Sequence, residues 1–103
     1  MQYVALEKLI NLYDGYRQIF IVQGKQVLLI QDNGRRHLIQ ANCPHSDWPL
    51  QNGWIDGDSI TCSKHGWAFS LYSGRGVNER ALGCNLQCYK ICYDQNTIGM
   101  LVE

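Results

Sequence analysis

The chain has 103 residues, 46% of them apolar, which suits one folded domain with a single sizeable core. Nine basic and nine acidic residues leave no formal net charge, so nothing argues for nucleic acid or an anionic membrane as a partner. Met1 to Tyr16 lacks the pattern of an export signal, and no apolar run approaches the roughly 20 residues of a membrane helix, so a soluble, cytoplasmic protein is expected.

Ala5 to Leu12 carries Leu6, Leu9, Ile10 and Leu12, a spacing that predicts one or two helical turns. The remainder reads as short strands. Gln18 to Gln23 and Gln26 to Gln31 flank a tight turn at Gly24-Lys25. Val27 to Ile30 is apolar on both faces, as in a buried strand. After the turn signal Asp32-Asn33-Gly34, His37 to Ala41 resumes an extended pattern. The stretch from Cys43 to Gly76 then holds both prolines and all three tryptophans. Its strands are brief: Gly53 to Ile55, Ser59 to Cys62 and Trp67 to Leu71, with turns at Asp56-Gly57-Asp58 and Tyr72-Ser73-Gly74. Leu86 to Tyr93 and Ile98 to Val102 are strands separated by a hairpin loop at Asp94 to Thr97. The result is an all-β framework with a loop-rich insertion near its middle and no internal repeat.

Five cysteines, an odd number without an export signal, argue against a disulfide framework and leave metal binding or burial. Cys84, Cys88 and Cys92 are spaced by four. That offset places them on one face of a strand, as small buried apolar side chains. His37 falls in a predicted strand and is expected to be an ordinary strand histidine. The other two cysteines stand in Cys43-Pro44-His45 and, 16 residues later, Cys62-Ser63-Lys64-His65. Two cysteines and two histidines suit zinc or an iron–sulfur cluster. Zinc fingers pair like with like, whereas each loop here mixes one thiolate with one imidazole. In an extended Cys-x-His step both side chains point the same way, so each loop can give one ligand to each of two metal atoms.

This pattern resembles the Rieske proteins, in which a C-x-H loop is followed by a C-x-x-H loop. Leu50, Gly53, His65-Gly66-Trp67, Phe69 and Gly74-Arg75 stand where the ferredoxin and oxygenase branch of that family commonly has such residues. The resemblance implies one Rieske domain over 1–103: three antiparallel sheets, with a cluster-binding subdomain at about 41–76 inserted in a basal β domain. It also implies one Rieske-type 2Fe–2S cluster, with Cys43 and Cys62 on the inner iron and His45 and His65 on the outer one.

Departures narrow the branch. Cytochrome bc-type Rieske proteins have a further cysteine in each loop, joined as a disulfide, and a serine after the second histidine. Here Ser46-Asp47-Trp48 and Ser63-Lys64 bring no cysteine, and Trp67 replaces the serine. Fewer hydrogen bonds to sulfur place the expected potential near the low end of the roughly −150 to +300 mV Rieske range. The usual proline loop over the cluster is missing, which leaves Val77 to Gly83 as the expected cover. Trp67 is expected to pack over the cluster, and Lys64 to face solvent. Trp48 suits packing and docking equally.

No nucleophile–base pair, phosphate-binding glycine loop or nicotinamide fingerprint is present, so no enzyme activity is expected. The resemblance implies a monomeric one-electron carrier that docks transiently at the cluster tip. Its donor would be a flavin-containing reductase, and its acceptor a terminal oxygenase of the ring-hydroxylating or diiron type. The alternative is a permanently bound Rieske-like small subunit of a larger oxidoreductase such as nitrite reductase.

Overall fold

Val27, Leu28, Leu29 and Ile30 decide the layering. The computed structural model describes all residues, 1–103. Its strands are β1 (Gln2–Lys8), β2 (Tyr16–Val22), β3 (Lys25–Asp32), β4 (Arg35–Gln40), β5 (Trp54–Asp56), β6 (Ser59–Thr61), β7 (Ala68–Ser70), β8 (Cys92–Asp94) and β9 (Thr97–Val102). They form three antiparallel sheets in the orders β1-β9-β8, β2-β3-β4 and β5-β6-β7, the number and kind that the resemblance implies. Successive side chains of β3 point to opposite faces. Val27 and Leu29 enter a core shared with Leu38 of β4 and with Ile98 and Met100 of β9. Leu28 and Ile30 enter a second core with Ile39, Leu50, Ile60, Phe69 and Leu71. The sheet β2-β3-β4 therefore lies between the other two.

Two hairpin turns fix the register of this middle sheet. Gln23-Gly24 and Asn33-Gly34 each have positive φ at both positions, 51° and 78°, then 51° and 77°. Such two-residue turns match the twist of the flanking strands. The first turn lies one residue earlier than expected, because Lys25 already pairs with Val22. That register keeps Val22 and Val27 in the same core.

The expected helix at Ala5 to Leu12 is not there. Ala5 to Lys8 belongs to β1, and only Leu9–Asn11 makes a 3-10 turn. The edge of β9 supplies backbone partners, and a register shift between Ala5 and Glu7 turns the strand. Leu6, Leu9 and Leu12 then pack against one core, so a helical spacing is met by a bulged strand running into a turn. Glu7 locks that turn. It accepts hydrogen bonds from Asn11 Nδ2 (2.9 Å), Tyr16 Oη (2.7 Å) and the Lys8 backbone N–H (2.9 Å). The Asn11 and Tyr16 bonds hold its carboxyl below the usual range.

The expected strand Leu86 to Tyr93 also shrinks, to Cys92–Asp94. Leu86 to Ile91 follows β4 with only scattered backbone bonds, Gln40 N donating to Gln87 O (2.9 Å) and Tyr89 N to Leu38 O (2.8 Å). The Gln40 side chain takes the Gln87 N–H at 2.6 Å, so a ladder partner is lost to an amide. Cys84, Cys88 and Cys92 therefore share no strand face. All three are free and partly exposed, and Cys84 and Cys88 border the second core. Burial pushes the Cys88 thiol up. No helix is long and apolar enough to cross a membrane.

His37 on β4 is buried and meets the Tyr72 ring edge-on, with centroids 4.9 Å apart. Burial lowers its imidazole below the usual 6.5, against the attraction of Asp58 and Asp32. A depressed base favours the folded state while the unfolded chain is also neutral. That contribution is complete above pH 6.5 and is lost as pH falls below it. Resistance to thermal unfolding should therefore weaken on the acid side of that pH, and His37→Leu should flatten this part of the profile. Truncating either face of β3, Leu28→Ala or Leu29→Ala, should cost about 2–5 kcal/mol in urea unfolding.

Candidate metal centre

Residues 43–48 lie between β4 and β5, and residues 62–67 connect β6 to β7. They are the same turn made twice. In the first, Asp47 N donates to Cys43 O (2.8 Å) and Cys43 N to Trp48 O (2.8 Å). In the second, Gly66 N donates to Cys62 O (3.0 Å) and Cys62 N to Trp67 O (2.8 Å). The fifth residue of each turn is left-handed, Asp47 at φ 57° and Gly66 at φ 73°. Glycine and aspartate are among the residues that reach this region most readily. A common signal was therefore present in a sequence read as having no repeat: cysteine, three residues, Asp or Gly, then tryptophan.

The turns hold their cysteines inward. Cys43 and Cys62 are 2% and 0% exposed and belong to the second core with Leu28, Leu50 and Phe69. His45 and His65 are exposed, with ring centroids 5.6 Å apart. The four candidate ligands thus fall into a buried sulfur pair and an outer imidazole pair. No three His, Cys, Asp or Glu side chains gather as a group for a single metal ion. Tetrahedral zinc would draw all four onto one point. An inner cysteine pair and an outer histidine pair would suit a group with two metal atoms, the cysteines holding one and the histidines the other. His37 stands apart from both loops, in β4.

Side chains join the loops. Trp67 is half-buried and stacks on His45, centroids 3.8 Å apart and planes 5° apart. Trp48 donates Nε1 to Ser63 Oγ at 3.2 Å, and Lys64 Nζ lies 4.9 Å from the centre of its ring. Lys64 is exposed, as expected, yet it rests on an aromatic face. Ser46 Oγ lies 4.0 Å from Cys62 Sγ.

The segment Val77 to Gly83 buttresses the second loop. Asn78 Nδ2 donates to Gly66 O (2.7 Å), and its Oδ1 accepts from Ala68 N (3.3 Å) and Ala81 N (3.2 Å). Arg80 donates to His65 O at 3.2 Å. Gly76 lets this segment close, since a Cβ there would sit 1.8 Å from Ala81 O. Asn78 and Arg80 were not singled out from sequence. Asn78 is nonetheless a favoured capping residue before the 3-10 turn Glu79–Ala81, and that signal was readable.

A family model described as the Rieske [2Fe-2S] domain matches residues 2–90. The chain belongs to that family. Its cofactor is accordingly one Rieske-type 2Fe–2S cluster. The ferredoxin component of an alkene monooxygenase system from Xanthobacter autotrophicus is 34% identical over 76% of this Rieske chain. The match covers 65% of that relative, so the chain spans just under two thirds of its length. Among solved structures, the ferredoxin of carbazole 1,9a-dioxygenase from Nocardioides aromaticivorans superposes with a TM-score of 0.83 at 22% identity, over 96% of each chain. A carbazole 1,9a-dioxygenase ferredoxin solved in complex with its reduced oxygenase shares the fold as well. So does a protein described as a nitrite reductase (NADPH) small subunit, TM-score 0.78 and 20% identical, over 99% of this chain and 100% of that one. At these identities the structures establish the Rieske fold.

A hydroxyl beside the sulfur of a candidate ligand such as Cys62 would stabilise the more negative reduced state of a cluster held there. Ser46→Ala should therefore lower the midpoint potential. The contact is long, so a shift of about 20 mV is expected, the low end for one hydrogen bond in a one-electron couple. A redox titration followed by visible absorbance measures it.

Proposed function

We propose that this chain is a soluble, cytoplasmic one-electron carrier whose cluster is held by Cys43 and Cys62 on one iron and His45 and His65 on the other. In this proposal 1–103 is a single domain whose cluster-binding part is about 41–76. The sheet β5-β6-β7 falls inside that span and shares a core with the middle sheet, which supports this division. The observation that carries the functional reading is the split in exposure between the ligand pairs, sulfur inside and imidazole outside.

When bound, the cluster supplies reversible one-electron chemistry. The buried cysteines keep water from the sulfur side. The exposed imidazoles provide the shortest way out for an electron, so a partner docks where His45 and His65 meet solvent. A flavin-containing reductase as donor and a terminal oxygenase as acceptor are the partners we propose, each docking transiently on a monomer. The names of the alkene monooxygenase and carbazole dioxygenase ferredoxins support an oxygenase as acceptor. The missing cross-loop disulfide and Trp67 in place of a serine support a low potential. In this reading the reaction belongs to the oxygenase.

Aerobically purified protein should be red-brown, with two irons and two acid-labile sulfides per chain, as a [2Fe-2S] site requires. Once reduced, it should give an EPR signal whose average g lies below the free-electron value. His45→Ala should abolish normal loading; a fully loaded variant overturns the ligand assignment. A partner test separates the carrier from the bound subunit. A carrier purifies alone and passes electrons from an added reductase to cytochrome c, whereas a subunit co-purifies with a large catalytic chain.

A further inference from the structure

The backbone hydrogen bonds of 43–48 and 62–67 run within each loop, and none runs between the loops. No disulfide joins them either, since all five cysteines are free. What crosses the gap is side chains, and the two tryptophans cross it reciprocally. Each ends its own turn and lies against the third residue of the other. Trp67, sixth from Cys62, stacks on His45, third from Cys43. Trp48, sixth from Cys43, carries the ammonium of Lys64, third from Cys62, and bonds Ser63 beside it.

We infer that Trp48 and Trp67 form a reciprocal clasp between the ligand loops that retains the cluster, and that Trp67 alone also fixes the plane of the His45 ring. The inference rests on the ligand assignment proposed above. The difference between the two tryptophans comes from the loops themselves. The third residue is a ligand candidate in the first loop and a lysine in the second, whose histidine is the fourth. Trp67 therefore touches a ligand and Trp48 does not. Both are positioning residues. A cluster leaves only when the loops part, so losing either contact should speed release.

The test uses the full chain with its cluster loaded. Trp48→Leu, Trp67→Leu and the double variant are compared with Trp54→Leu, which alters a 62% exposed tryptophan on β5 outside both loops. Release into excess ferrous chelator is followed by loss of visible absorbance, and the reduced proteins by EPR. Trp48→Leu should release about two- to fivefold faster, the range for one exposed cation–π contact. Trp67→Leu should release about two- to tenfold faster, the range for one aromatic pair. The double variant should fall short of the product of the two, because both contacts hold the same pair of loops. The g values should shift or broaden in Trp67→Leu and not in Trp48→Leu. Lys64→Ala should reproduce part of the Trp48→Leu effect.

Wild-type release rates in both single variants overturn the clasp, as does equal acceleration in Trp54→Leu. An unchanged EPR spectrum in Trp67→Leu overturns the positioning of His45. If Trp67→Leu does not fold, Trp67→Phe takes its place. It keeps a stacking face, and should stay within about twofold of wild type in release while its g values shift or broaden relative to wild type; release as fast as Trp48→Leu overturns the inference. A wild-type protein without the EPR signature of two-histidine ligation overturns the ligand assignment itself, and that outcome is visible before any variant is made.

Discussion

The structure depends on a strand that has no solvent face. β3 sends Val27 and Leu29 to one core and Leu28 and Ile30 to the other, with none of the four more than 1% exposed. A strand in this position must be covered on both sides, so the chain has to supply a sheet for each. β1, β8 and β9 cover one face and β5, β6 and β7 the other. The second cover is built from very short strands, three residues each. Their ladders alone are brief, and their stability comes from Ile60, Phe69 and Leu50 packed onto β3 and β4.

That packing sets the chemistry. Cys43 and Cys62 sit at the bases of their turns, where the chain has just left the second core, and so count among its fully buried members. Two and three residues on, the same turns have climbed to the surface and present His45 and His65. Each turn closes on a left-handed residue and a backbone bond back to its cysteine, which fixes how far the histidine can stand from the sulfur. The depth difference between sulfur and imidazole is therefore a property of the turns, anchored by the core beneath them.

The turns are held from two directions. Asn78 and Arg80 take up the carbonyls of Gly66 and His65 from the outside. The tryptophans bind the turns to one another across the gap. Polar groups satisfied on both flanks leave the loops no buried side-chain donor or acceptor without a partner. Val77 to Gly83 does meet the second loop where a proline loop was missing from the sequence, and it does so through an asparagine cap and an arginine rather than through ring stiffness.

The sequence by itself determined the family, the four ligand candidates and the all-β class, because each is written in residue type and short spacing. Cys43-Pro44-His45 and Cys62-Ser63-Lys64-His65 are local patterns, and so is the unbroken apolar run of β3. What the sequence did not determine lay wherever a distant backbone chose between local options. Ala5 to Lys8 has helical spacing but pairs with β9, near the other end of the chain. Leu86 to Ile91 has strand composition but loses its ladder to the Gln40 amide. The pairing of Trp67 with His45 and of Trp48 with Lys64 joins residues 16 or more positions apart, and only packing of the two turns side by side creates it. Ligand identity is a matter of chemistry carried by single residues; ligand placement is a matter of which surfaces the core brings together, and only the tertiary structure decides that.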